Sequence, residues 1–80
     1  METLNQVEVF PNPTMGAFNI RTTAESSTVM ILDPAGKLIE RHDQVAAGVL
    51  QIDLSGKAKG VYFVTVTDGH SLKREKVVVM

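Results

Sequence analysis

The chain has no cysteine and no tryptophan, and one tyrosine with three phenylalanines brings its aromatic content to only 5% of 80 residues. Without cysteine there are no disulfides, no thiol catalysis and no cysteine-ligated zinc. Taken alone, that absence fits a cytosolic domain slightly better than a small secreted one, which is often stapled by disulfides. So few aromatics imply an aliphatic core and leave little for the interleaved basic and aromatic surface that binds nucleic acid. No apolar run approaches the roughly 18 residues of a membrane-spanning helix. Met1 leads into polar Glu2, Thr3 and Asn5 rather than into a signal peptide. No segment sustains the i, i+3, i+4, i+7 apolar spacing of an amphipathic helix, so helix content should be very low.

Catalytic chemistry is equally scarce. The only histidines, His42 and His70, fall in expected loops with polar neighbours. The stretch Ser55-Gly56-Lys57-Ala58-Lys59-Gly60 lacks the spacing of a phosphate loop and leads into a strand. Asp33, Asp53 and Asp68 follow no calcium-loop spacing and read as turn-capping residues. The inventory indicates a binding or structural module rather than an enzyme, with no cofactor and no metal.

What is present is one small domain, 44% apolar and 21% charged, of net charge −1. The charge is uneven. Residues 1–56 carry three basic side chains against seven acidic ones, and residues 57–80 carry five against two. A basic end on a mildly acidic body can steer an anionic partner, or it can serve to keep an edge strand from aggregating.

Residues 1–5 read as a linker remnant with a start residue, and the domain proper spans 6–80. Gln6 to Phe10 alternates, with Val7 and Val9 opposite Glu8 and Phe10, and is expected to form a strand. Pro11-Asn12-Pro13 ends it, since two prolines remove two amide donors. Ala17 to Thr22 sets Phe18, Ile20 and Thr22 on one face; Thr23 to Ser27 then reads as a polar connection. Thr28 to Leu32 is continuously apolar and is expected to be central and covered on both faces. Asp33-Pro34-Ala35-Gly36 has the positional preferences of a type I turn. Lys37 to Arg41 follows as a strand, His42 to Gly48 as a second connection, and Val49 to Leu54 as a strand with Leu50, Ile52 and Leu54 inward. Gly60 to Met80 is a terminal hairpin. Val61 to Thr67 is β-branched or aromatic throughout, Asp68-Gly69 turns it, and the return strand ends the chain in Val77-Val78-Val79-Met80. The cadence of roughly 9–12 residues between strand starts predicts an all-β sandwich of about seven short strands.

Four motifs in order complete the picture: Phe10-Pro11-Asn12-Pro13-Thr14 with Gly16; Val29 to Leu32 with Asp33, Gly36, Lys37 and Leu38; Asp53-Leu54-Ser55-Gly56 leading to Lys59-Gly60-Val61-Tyr62-Phe63-Val64; and Lys76-Val77-Val78-Val79. Together they resemble the type A C-terminal sorting domain of the type IX secretion system of Bacteroidetes, across residues 6–80. The resemblance implies an immunoglobulin-like antiparallel sandwich with Greek-key connections at the end of a larger cargo protein. It implies transit through the periplasm, export to the cell surface or beyond, and usual removal by a sortase-like peptidase. The partners would be translocon or shuttle proteins, without nucleic acid or direct membrane insertion. The domain would be a monomer, or a dimer through a terminal strand edge. On this view the chain is an excised tail. The residues expected to carry the sorting motif are Pro11, Asn12, Pro13, Gly36, Gly60, Tyr62, Lys76, Val77, Val78 and Val79. Departures from the family pattern are Met15 in place of an Asn in an Asn-Gly turn, Lys57 at a commonly apolar position, and Leu32 in place of Tyr. A sugar- or protein-binding accessory sandwich of an extracellular enzyme is the alternative.

Overall fold

Asp33 joins the two longest elements of the chain. Its carboxylate accepts from the amides of Ala35 and Lys37 (2.9 and 2.8 Å), and its carbonyl accepts from Gly36 N–H at 2.8 Å. The computed structural model describes residues 6–80; the expected linker remnant lies outside them. On either side of the Asp33 turn run β2, Ala17–Leu32, and β3, Leu38–Asp53, each 16 residues long. Before them comes β1, Val7–Phe10, and after them β4, Gly60–Thr67, and β5, Leu72–Val79. All ladders are antiparallel, in the order β1-β2-β4-β5 with β3 also on β2. The all-β class is as expected.

Among the described residues the seven short strands expected are five, two of them long. Both polar stretches expected to be connections are strand, because they pair with each other. Ser26 faces Ala46 and Ser27 faces Val45, in a part of the ribbon interrupted by register shifts on either side of those pairs. Between Thr22–Gly48 and Ser26–Ala46 the β2 side carries more residues than the β3 side, and between Ser27–Val45 and Val29–His42 the reverse holds. Bulges of this kind bend a strand and increase its twist. A straight 16-residue strand spans roughly 50 Å, whereas the longest dimension of the molecule is 41 Å. The bend lets β2 change partners: Asn19 to Thr22 form the part paired with β1, and Thr28 to Leu32 the part paired with β4.

The curled sheet encloses one aliphatic core. Phe18, Ile20, Ile52 and Leu54 from one half meet Val29, Ile31, Tyr62, Val64, Val66, Val77 and Val79 from the other. Thr28 to Leu32 is central, between β3 and β4, and is covered completely on its inner face and in part on its outer face. Val29 and Ile31 are fully buried, whereas Thr28, Met30 and Leu32 are half-buried on the outer face. His42 lies in β3, with Nε2 2.9 Å from Glu40, rather than in a loop. The terminal hairpin forms as expected, closed by Thr67 opposite Leu72, with Asp68 Oδ1 accepting from the amides of His70 and Ser71 at 2.9 Å.

Candidate functional site

The four sequence motifs converge on one end of the molecule, where the last strand finishes. After Phe10 the chain leaves the β1 ladder, both X–Pro bonds of Pro11 and Pro13 being cis, and crosses to lie beside β5. There Asn12 does the work of a strand with its side chain. Its Nδ2 donates to the carbonyl of Lys76 at 2.7 Å, and its Oδ1 accepts from the amide of Val78 at 3.0 Å. Thr14 continues the pattern with its backbone, donating to Val78 O and accepting from Met80 N–H, each at 2.8 Å. Its buried hydroxyl donates to Ala17 O at 2.6 Å and accepts from Gly16 N–H at 3.1 Å. The first and last motifs, more than sixty residues apart, are thus one hydrogen-bonded unit.

The middle motifs support it from the other side. Gly60 begins β4 opposite Val79, and Tyr62 lies opposite Val77. A side chain at Gly60, whose φ is +151°, would press on Pro34 Cγ at 3.1 Å, which sets the Asp33–Gly36 turn against the start of β4. Gly36 serves that turn with φ +89° and reaches the rest of the site only through it. Tyr62 is buried and donates its hydroxyl to Ala58 O at 2.5 Å, fastening the Ser55–Lys59 corner to the core. In the same corner Asp53 accepts from the Ser55 hydroxyl (2.6 Å) and amide (2.9 Å); these bonds, the hydroxyl's first, hold its carboxyl below the usual value of 3.8. Lys57 is exposed, as its polarity suggested.

Gly16 was not among the expected site residues, yet the assembly depends on it. An added Cβ would lie 2.6 Å from Ser55 Cα, and φ is +137°. Its carbonyl accepts from Leu54 N–H at 2.8 Å. The positive-φ position of this turn is therefore Gly16, and Met15 is 82% exposed. The spacing Pro13-Thr14-Met15-Gly16 held the signal for this, since a glycine closing a turn before a strand marks close backbone approach.

A family model described as a secretion system C-terminal sorting domain matches residues 8–80. The chain belongs to this family. No curated protein matches it. Membership carries the function at one level: a C-terminal sorting signal of type IX secretion, a system of Bacteroidetes, that sends its cargo to the cell surface or the extracellular space. A sorting domain is not itself catalytic. Seen on the sorting domain, the motif residues divide in two. Tyr62, Val77 and Val79 are buried and build the end of the core. Pro11, Asn12, Pro13, Gly36, Lys76 and Val78 are exposed around it, with Gly60 half-buried between. Burial of Tyr62 also removes the ring that a sugar-binding surface would most need.

Proposed function

We propose that residues 6–80 take a larger cargo protein from the periplasm across the outer membrane through the type IX machinery, and that what the machinery reads is the assembled end. On this reading Asn12, Pro13, Lys76 and Val78 form the surface that a translocon or shuttle component touches. Pro11, Gly36, Gly60, Tyr62, Val77 and Val79 hold that surface in shape. After export a sortase-like peptidase removes the domain upstream of β1. The reading is carried by the Asn12 side chain bridging Lys76 and Val78. Because those bonds fill the outer edge of the last residues, a partner cannot add a strand to Val77–Met80 without first displacing Pro11–Thr14. The terminal valines therefore act as part of a folded unit rather than as a loose peptide.

The test is export of a periplasmic reporter fused to residues 6–80 in a type IX host. Export is expected for the intact fusion and is expected to fall for Pro13→Ala and Val78→Lys, both at exposed positions. Retention of the intact fusion in the periplasm would overturn the reading.

A further inference from the structure

β5 uses only part of its outer edge. Backbone groups of alternate residues point to opposite edges of a strand. Since Lys76, Val78 and Met80 present theirs to Asn12 and Thr14, the same outer edge receives those of Leu72 and Arg74. From the Lys76 carbonyl onward the edge is filled. Before it, the amides of Leu72, Arg74 and Lys76 and the carbonyls of Leu72 and Arg74 face outward. Among the described residues, β5 is paired only with β4 and, at its end, with Thr14. Such a row of donors and acceptors is a template for another strand.

The side chains along this edge indicate what kind of strand fits. Leu72, Arg74 and Lys76 project from the outer face with Val78, opposite the inward Val77 and Val79. Arg74 and Lys76 are exposed, about 7 Å apart along the strand. Among the described residues neither has an acidic partner; the ion pairs of arginine or lysine there are Arg21–Glu8 and Arg41–Asp43. A second copy of the chain is a poor occupant, because antiparallel pairing centred on Leu72–Lys76 sets Arg74 against Arg74. Like charges directly opposite destabilise a ladder.

We propose that the Leu72–Lys76 edge of β5 docks an extended acidic segment of a partner protein, which adds a strand to the sheet and sets carboxylates opposite Arg74 and Lys76. The inference rests on the sorting reading only for where that partner is met, in the export machinery; the edge and its cations belong to the domain itself.

The 80-residue chain is titrated by NMR at low salt with a synthetic peptide of alternating valine and glutamate, and with a valine–lysine peptide as control. The acidic peptide is expected to shift and protect the amides of Leu72, Arg74 and Lys76 and to leave that of Val78 as it was. The basic peptide is expected not to bind. The double variant Arg74→Glu, Lys76→Glu should weaken the acidic peptide about tenfold. Arg74→Pro removes an outward amide that β4 does not use and should block addition with the fold intact; if it unfolds, the charge-reversed pair decides. Equal binding of both peptides, protection elsewhere than on β5, no binding at millimolar peptide, or dimerisation through this edge would each overturn the proposal. In the host, export of the wild-type fusion but not of a folded Arg74→Glu fusion, changed at a position outside the proposed reading surface, supports it. Equal export of the two removes the edge from sorting while leaving the sorting role, and failure of the wild-type fusion counts against the sorting role and leaves the titration to decide.

Discussion

Replacing Asn12 by alanine removes the only side-chain bridge between the first and last motifs among the described residues. The change deletes the bonds to Lys76 O at 2.7 Å and from Val78 N at 3.0 Å, but spares the two backbone bonds of Thr14. A protein hydrogen bond is worth about 0.5–1.5 kcal/mol net, and these are exposed, so that water replaces the lost partners and the low end applies. The pair then contributes about 1 kcal/mol, which lowers the melting temperature of a domain this size by about 4–8 °C. The local signature is sharper. Val78 N–H loses its acceptor, so its hydrogen exchange should approach that of an open edge amide, while amides between β4 and β5 quicken only in step with the loss of global stability. Asn12→Asp keeps the acceptor and should preserve Val78 protection while still losing the bond to Lys76. An Asn12→Ala domain with unchanged melting temperature and unchanged Val78 protection would refute this account of the clamp.

Other perturbations follow from the same geometry. Gly16→Ala forces a Cβ to within 2.6 Å of Ser55 Cα at positive φ, so the corner must move; a loss of about 3 kcal/mol or failure to fold is expected by chemical denaturation. Val77→Ala empties a fully buried site and should cost about 2–3 kcal/mol, against less than about 1 kcal/mol for Val78→Ala, whose side chain faces outward. Equal losses at the two positions would contradict the register of β5. Asp53 has a folded pKa lowered by its bonds from Ser55. Its stabilising effect is therefore present above the unfolded value of about 4 and lost as pH falls through the lower folded value. Asp53→Asn should abolish that part of the acid sensitivity in melts taken from pH 6 down to about pH 2.

Much of the local structure was legible in the sequence, because alternation with period two reports directly on burial. Val7 and Val9, then Phe18, Ile20 and Thr22, and then Leu50, Ile52 and Leu54 each share one side, and that side faces the core. The aspartates at 33, 53 and 68 cap turns for the same short-range reason. What could not be read is the joining of strand pieces across Thr23–Ser27 and His42–Gly48. Those polar stretches look like loops because each finds its hydrogen bonds in the other, and composition carries no trace of such a partner. The unequal cover of the two faces of Thr28–Leu32 could not be read either, because a run of apolar residues does not say which side is covered more. At the site, proline and glycine positions marked where the chain turns, but the Asn12 bridge joins residues 64 and 66 positions away and leaves no local pattern.

The central claim is that sorting requires the first and last motifs assembled as one unit. Its most direct measurement is the exported fraction of a reporter fused to residues 6–80, compared between the wild-type domain and Asn12→Ala, with the folded state of both checked by exchange of the β4 amides. The account predicts efficient export of the wild type and clearly reduced export of the variant, although its core stays folded. Wild-type export from a folded domain whose Val78 amide is unprotected would contradict it.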